Sequence, residues 1–166
     1  MTGKILVAVD STDASTQALS YLVRLLENSK GIQFRLFHVL PPIPPEFREH
    51  GGSEDPDEEL ALGKKLAEAQ YDWVDKAKSK AQPVMDSAIA VLLEAGINAD
   101  TISTEFSTSA HPSDLVDDIL EAAQAWQCET IVVGRECCSK FADLFHHHVG
   151  EELLQKGKGF AIWIVE

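Results

Sequence analysis

An open α/β fold built on a parallel sheet is what this sequence predicts, and three observations carry that expectation. Short, nearly continuous apolar runs such as KILVAVD (Lys4 to Asp10) and ETIVVG (Glu129 to Gly134) suit strands buried on both faces. Helical stretches with a single apolar stripe lie between runs of this kind. Proline or glycine stands at several of the joins. The expected architecture is a five-stranded parallel sheet of order 3-2-1-4-5 with helices on both faces, in a single domain spanning residues 1–166.

The first run, Lys4 to Asp10, is assigned to the central strand. Asp13 can cap the next helix, whose Ala18, Leu22, Leu25 and Leu26 share one face before Asn28 and Gly31 end it. Ile32 to Leu40 reads as the second strand and stops at Pro41-Pro42, where amide donors are missing. Residues 41–57, rich in proline with a glycine pair and an acidic end, read as an extended, solvated loop. From Glu58 to Ala95 the pattern is helical, with Pro83 expected to divide it into two consecutive pieces. Asn98 to Phe106 is the third strand. Pro112 suits the first turn of the next helix, striped by Val116, Ile119, Leu120 and Ala123. Glu129 to Gly134 and Phe160 to Val165 supply the last strands, around a helix near His147 to Gln155.

Composition excludes several partners. With 14 basic against 27 acidic residues the net charge is -13, which repels phosphate backbones and anionic headgroups, so neither nucleic acid nor a membrane surface is expected. No apolar run approaches the roughly 20 residues of a membrane span. Met1-Thr2-Gly3-Lys4 leads into the first strand without a cleavable signal, and the expected compartment is the cytoplasm. Cys128, Cys137 and Cys138 cannot all pair within one chain and adjacent cysteines rarely bridge each other, so no disulfide framework is expected and a reducing compartment fits.

Ligands of open α/β sheets sit at the carboxyl ends of strands where winding reverses, here the first and fourth. Asp10, Ser11 and Thr12 come directly after the first; the carboxylate can accept from a ribose hydroxyl or an adenine edge, and the hydroxyls can donate. An acidic residue there also commonly caps the next turn or helix, and both readings stay open. Gly134, Arg135 and Glu136 stand at the end of the fourth.

The segments KILVAVDSTDAS, HVLPP, AHPSDLVDDIL and ETIVVG together resemble the universal stress protein family, over nearly the whole chain. That resemblance implies a small cytoplasmic homodimer with a Rossmann-like fold of the adenine nucleotide alpha hydrolase type. It also implies, for one branch, ATP held by a glycine-rich segment after the fourth strand: Gly, two residues, Gly, nine residues, Gly, then Ser or Thr. Laid on this chain, those positions fall on Gly134, Cys137, His147 and His148, and the first alone matches. The nucleotide-site residues so implied are Ala8, Asp10, Ser11, Thr12, Val39, Gly134, Arg135, Cys137, His147, His148 and Val149. Cys137 and His147 restore side chains where bare main chain would approach phosphates. Glu136, Asp143, Glu151 and Glu152 add negative charge, and a carboxylate roughly 4 Å from a poorly solvated phosphate costs on the order of several kcal/mol. ATP binding is therefore expected to be weakened or lost, with no cofactor assigned. The alternative is an ATP or AMP switch in which Arg135 and His148 replace the glycine loop.

His146, His147 and His148 beside Cys137 and Cys138 raise a second alternative, a metal-responsive protein using His147, His148 and Cys137. Consecutive helical residues point about 100° apart, which favours a solvated histidine cluster over a metal site. Cys128 reads as a small buried hydrophobe. Carboxylates beside Cys137 and Cys138 oppose the lowered thiol pKa that redox sensing needs. Trp73, Trp126 and Trp163 are assigned to the core. No nucleophile elbow, HExxH, P-loop or dinucleotide fingerprint is present, so the expected role is regulation or interaction without catalysis. Phe160 to Val165, a hydrophobic terminal strand at the sheet edge, would be covered by a two-fold mate.

Overall fold

The computed structural model describes residues 3–26, 29–107, 115–135 and 149–166. Its strands are β1 (Lys4–Ala8), β2 (Gln33–Val39), β3 (Ile102–Ser107), β4 (Thr130–Gly134) and β5 (Ala161–Val165). They alternate with helices α1 (Asp13–Leu26), α2 (Pro56–Glu94), α3 (Leu115–Ala125) and α4 (Val149–Lys156). All four strand pairings are parallel and the order is β3-β2-β1-β4-β5, as the sequence predicts.

Alternation along each strand feeds two cores. Leu6 and Ala8 of β1, Phe37 and Val39 of β2, and Ile131 and Val133 of β4 pack under Val116 and Ile119 of α3 and Leu153 of α4. Ile5 and Val7, with Phe34, Leu36 and Val132, pack on the other face under Leu19 and Leu22 of α1 and Met85 and Leu92 of α2. Leu6, Val7, Ile131, Val132 and Val133 are each 0% exposed, which is why these strands read as unbroken apolar runs. Burying a side chain of this size contributes about 1.5–3 kcal/mol. At the amino end of the sheet, Lys4 (5.4 Å) and Arg35 (4.7 Å) both lie over the Trp126 ring, and Lys4 Nζ also donates to the Trp126 carbonyl at 2.9 Å.

Three local expectations need correcting. The cap of α1 is Thr12, not Asp13: its Oγ1 accepts from the Ser15 amide at 3.3 Å, and Asp13 is the first helical residue. The third strand starts at Ile102, because the Asn98 side chain accepts from the Asp100 amide and turns Ala99–Thr101 into one 3-10 turn. Most consequentially, Pro83 does not divide α2, which runs unbroken for 39 residues. Proline removes one amide donor, but Ala81, Met85, Ala88 and Leu92, on both sides of it, bury one face. That burial outweighs the roughly 3 kcal/mol of an interior helical proline.

At 1.5 Å per residue α2 is about 58 Å long. Its buried residues all lie between positions 81 and 92, so the part before them extends past the carboxyl ends of the strands. The preceding loop carries a 3-10 turn at Pro45–Phe47 and is tied to this extension. Gln70 Nε2 donates to the Phe47 carbonyl at 2.6 Å, and the Ser53 amide to Glu59 at 2.7 Å. Asp55 caps α2 by accepting from the Asp57 amide at 2.9 Å.

Pro83→Ala restores the missing amide without disturbing the buried face and should stabilise the protein by about 2 kcal/mol, less than the isolated-helix value because the unfolded chain also gains freedom. Urea unfolding checks this; an unchanged or lowered midpoint would show that α2 tolerates the ring at no cost.

Candidate functional site

The winding reverses between β1 and β4, and the residues just beyond each strand serve the fold before they serve any ligand. Asp10 Oδ1 accepts from the Thr12 amide at 2.8 Å and from the Thr12 hydroxyl. The Asp10 amide in turn donates to Ser15 Oγ at 3.0 Å. These bonds and the Thr12 cap make Asp10, Thr12 and Ser15 one reciprocal network that starts α1. Across from it, a Cβ at Gly134 would lie 2.5 Å from the carbonyl carbon and oxygen of Ala14. Gly134 is thus required by the first turn of α1, whatever it does for a ligand.

The other implied site residues separate into three groups. Asp10, Ser11 and Thr12 come together at the mouth of the crevice. The side chains of Ala8, Val39 and Val149 belong to the core on the α3 side, so these positions can offer a ligand main chain but no side chain. Arg135 forms an ion pair with Glu166 at the end of the chain. Its amide donates to the Val165 carbonyl at 2.8 Å, which extends the β4–β5 ladder. Cys137, His146, His147 and His148, and with them the metal alternative and most of the glycine-loop register, lie outside the described residues, as does Pro112.

A cavity of about 360 Å³ opens between the carboxyl ends of β1 and β2 and the extended part of α2. Asp10, Ser11, His38 and Pro41 line its strand side. Trp73, Lys76, Ala77, Lys80, Ala81 and Val84 line the other, at spacings that place them on one face of α2. The core placement expected of Trp73 is corrected here: the residue is half-buried and forms a wall of this cavity instead. Trp126 and Trp163 do pack against the two cores, though neither is fully buried. A second cavity of about 340 Å³ continues on the α1 side of Asp10, between Thr12 and Thr16 on one side and Pro83 and Ser87 on the other.

His38 is the residue that motif reasoning missed. Its Nδ1 lies 2.8 Å from the Val9 carbonyl oxygen, which can only accept, so Nδ1 carries the proton in this contact. Burial pushes the imidazole below its ordinary 6.5, against the smaller opposing effects of the Val9 bond and the Asp10 charge. The ring is therefore neutral near pH 7, with a lone pair on Nε2. Phe106 holds it edge to face, ring centroids 6.0 Å apart. A signal was present in the sequence: the period of two that sends Val39 into one core sends its neighbour His38 to the α2 face. Cys128 is buried, and burial raises its thiol pKa, in keeping with an inert apolar role.

Comparison with known proteins agrees with this architecture. The sequence profile of the universal stress protein family matches residues 1–158. The chain belongs to the universal stress protein family. A search of curated protein sequences finds no match. Among solved structures, a universal stress protein family member from Burkholderia pseudomallei superposes with a TM-score of 0.64 at 18% identity, covering 99% of this chain and 96% of that one. The universal stress protein from Archaeoglobus fulgidus, solved in complex with dAMP, gives 0.56 at 16% identity over 100% of both chains. A family protein from Arabidopsis thaliana with AMP bound gives 0.55 at 12%, covering 98% of this chain and 90% of that one. At such identities these structures speak to the fold.

The lowered His38 pKa has a sign that can be checked. The unfolded chain takes up a proton around 6.5 while the folded one resists until lower pH, so the stability from a neutral His38 is complete above about 6.5 and is lost as pH falls through the folded value. His38→Gln keeps a donor for the Val9 carbonyl and removes the titration. The melting temperature of the unsubstituted protein should therefore fall more between about pH 7.5 and about pH 5.5 than that of the variant. Parallel pH profiles would remove His38 from this account.

Proposed function

We propose that this universal stress protein is a non-enzymatic regulatory or interaction protein of the stress response, working as a cytoplasmic homodimer with ATP binding weakened or lost. The observation that carries the reading is the departure after β4: of four motif positions Gly134 alone matches, and its bare Cα is needed by Ala14. Two further features support it. Arg135, the cation nearest a would-be phosphate loop in sequence, is paired with Glu166, and the chain carries a net charge of -13. An exposed ion pair contributes at most about 1 kcal/mol, so Arg135 is diverted rather than locked.

The AMP and dAMP complexes of relatives favour one competing reading, a nucleotide switch that keeps the Asp10 side of the site. Titration calorimetry with Mg-ATP separates the two. No heat at about 1 mM nucleotide is the expected result. Tight binding abolished by Asp10→Ala would replace the interaction role with the switch.

The dimer is assigned to β5, an edge strand whose Ile162, Trp163, Ile164 and Val165 are all half-buried within one chain. Light scattering should give twice the 18.2 kDa of the chain. Ile164→Lys should halve that mass, but Ile164 also touches Gly150 of α4, within 2.9 Å of where a Cβ would stand. Ala161→Lys, at an exposed position of the same strand, places the charge outside the core and should give monomer with unchanged circular dichroism. A dimer that survives both substitutions moves the interface elsewhere.

A further inference from the structure

The cavity under the extended part of α2 has a composition that the family motif does not explain. We infer that it is a binding site for a small aromatic carboxylate bearing a hydroxyl or amino donor, held between the Trp73 wall, the Lys76 and Lys80 ammonium groups and the His38 acceptor.

Four observations converge on that chemistry. The walls are apolar and include one large flat side chain: Trp73 with Ala77, Ala81 and Val84 from α2, and Pro41 from the end of β2. Such walls favour a planar apolar body, which stacks or packs on indole without needing hydrogen bonds. Lys76 and Lys80 stand one turn apart on the same helical face, both exposed, and neither enters an ion pair among the described residues. In a chain with 27 acidic residues, two such lysines at one cavity select an anion, and a carboxylate takes a charge-assisted hydrogen bond from each.

The strand side asks for the opposite polarity. His38 spends its one proton on the Val9 carbonyl, which makes Nε2 an acceptor, and Asp10 adds a carboxylate on the same wall. A ligand group meeting them must donate a hydrogen bond. Size sets the last limit: about 360 Å³ lies at the lower end of ligand cavities, suited to one ring and its substituents.

The test uses the full-length protein and 4-hydroxybenzoate as probe, with benzoate and AMP as comparators. Calorimetry should show 4-hydroxybenzoate binding with Kd below about 1 mM, and benzoate, lacking the donor, about tenfold weaker. Indole fluorescence should change on titration, and Trp73→Phe should remove that change although Trp126 and Trp163 remain. The double variant Lys76→Gln, Lys80→Gln alters exposed positions and should weaken 4-hydroxybenzoate at least tenfold with an unchanged melting temperature. Absence of binding at about 10 mM would overturn the inference. So would affinity indifferent to both lysines, or AMP binding more tightly than 4-hydroxybenzoate in a lysine-dependent way, which would reassign the cavity to a mononucleotide. The readouts are independent of the proposed loss of ATP binding, which concerns the segment after β4.

Discussion

Burial of β1 and β4 on both faces is the constraint on which the rest of this molecule depends. Two adjacent parallel strands with no solvent-facing side need a helical layer above and below, and right-handed crossovers supply the layers only if winding reverses between them. The reversal leaves a crevice at their carboxyl ends, and it brings the first turn of α1 directly over the end of β4. Contact there is so close that Gly134 admits no Cβ. The carboxylate and hydroxyls of Asp10, Thr12 and Ser15, which could have served a ligand alone, are drawn into starting that helix.

A second consequence concerns α2. Its last third is anchored by burial on β2 and β3, and helix cooperativity carries the remainder outward past the sheet. The overhang converts what would be an open strand end into a walled cavity. The anchoring is strong enough to absorb an interior proline, and the loop before α2 is tied to the overhang by the Phe47 carbonyl, which accepts from Gln70, and the Ser53 amide, which donates to Glu59. His38, on the face of β2 that α2 covers, loses solvent, and that burial disfavours a second proton on its ring. Family architecture thus survives at identities of 12–18% to solved relatives.

Strand positions were legible to within a few residues because fully buried strands must be apolar throughout, as in KILVAVD and ETIVVG. The unbroken α2 was not legible, since proline's local cost is visible in sequence and the packing that offsets it is not. Trp73 escapes sequence reasoning for a related reason: helical periodicity says which residues share a face but not whether that face meets a sheet, a cavity or solvent. Asp10 is found by its place after the first strand, yet its partners Thr12 and Ser15 emerge from the turn geometry alone.

By itself, then, the order of residues determined the class of fold, the central place of β1 and the acidic balance of the chain, since each depends on local composition and spacing. Tertiary structure decided what the described positions touch: that Gly134 serves Ala14, that Arg135 turns to Glu166, and that His38, Trp73, Lys76 and Lys80, from elements dozens of residues apart, line one cavity. Periodicity constrains one element at a time, whereas a site is made where the overhang of one element meets the ends of others, and that distance is set by packing.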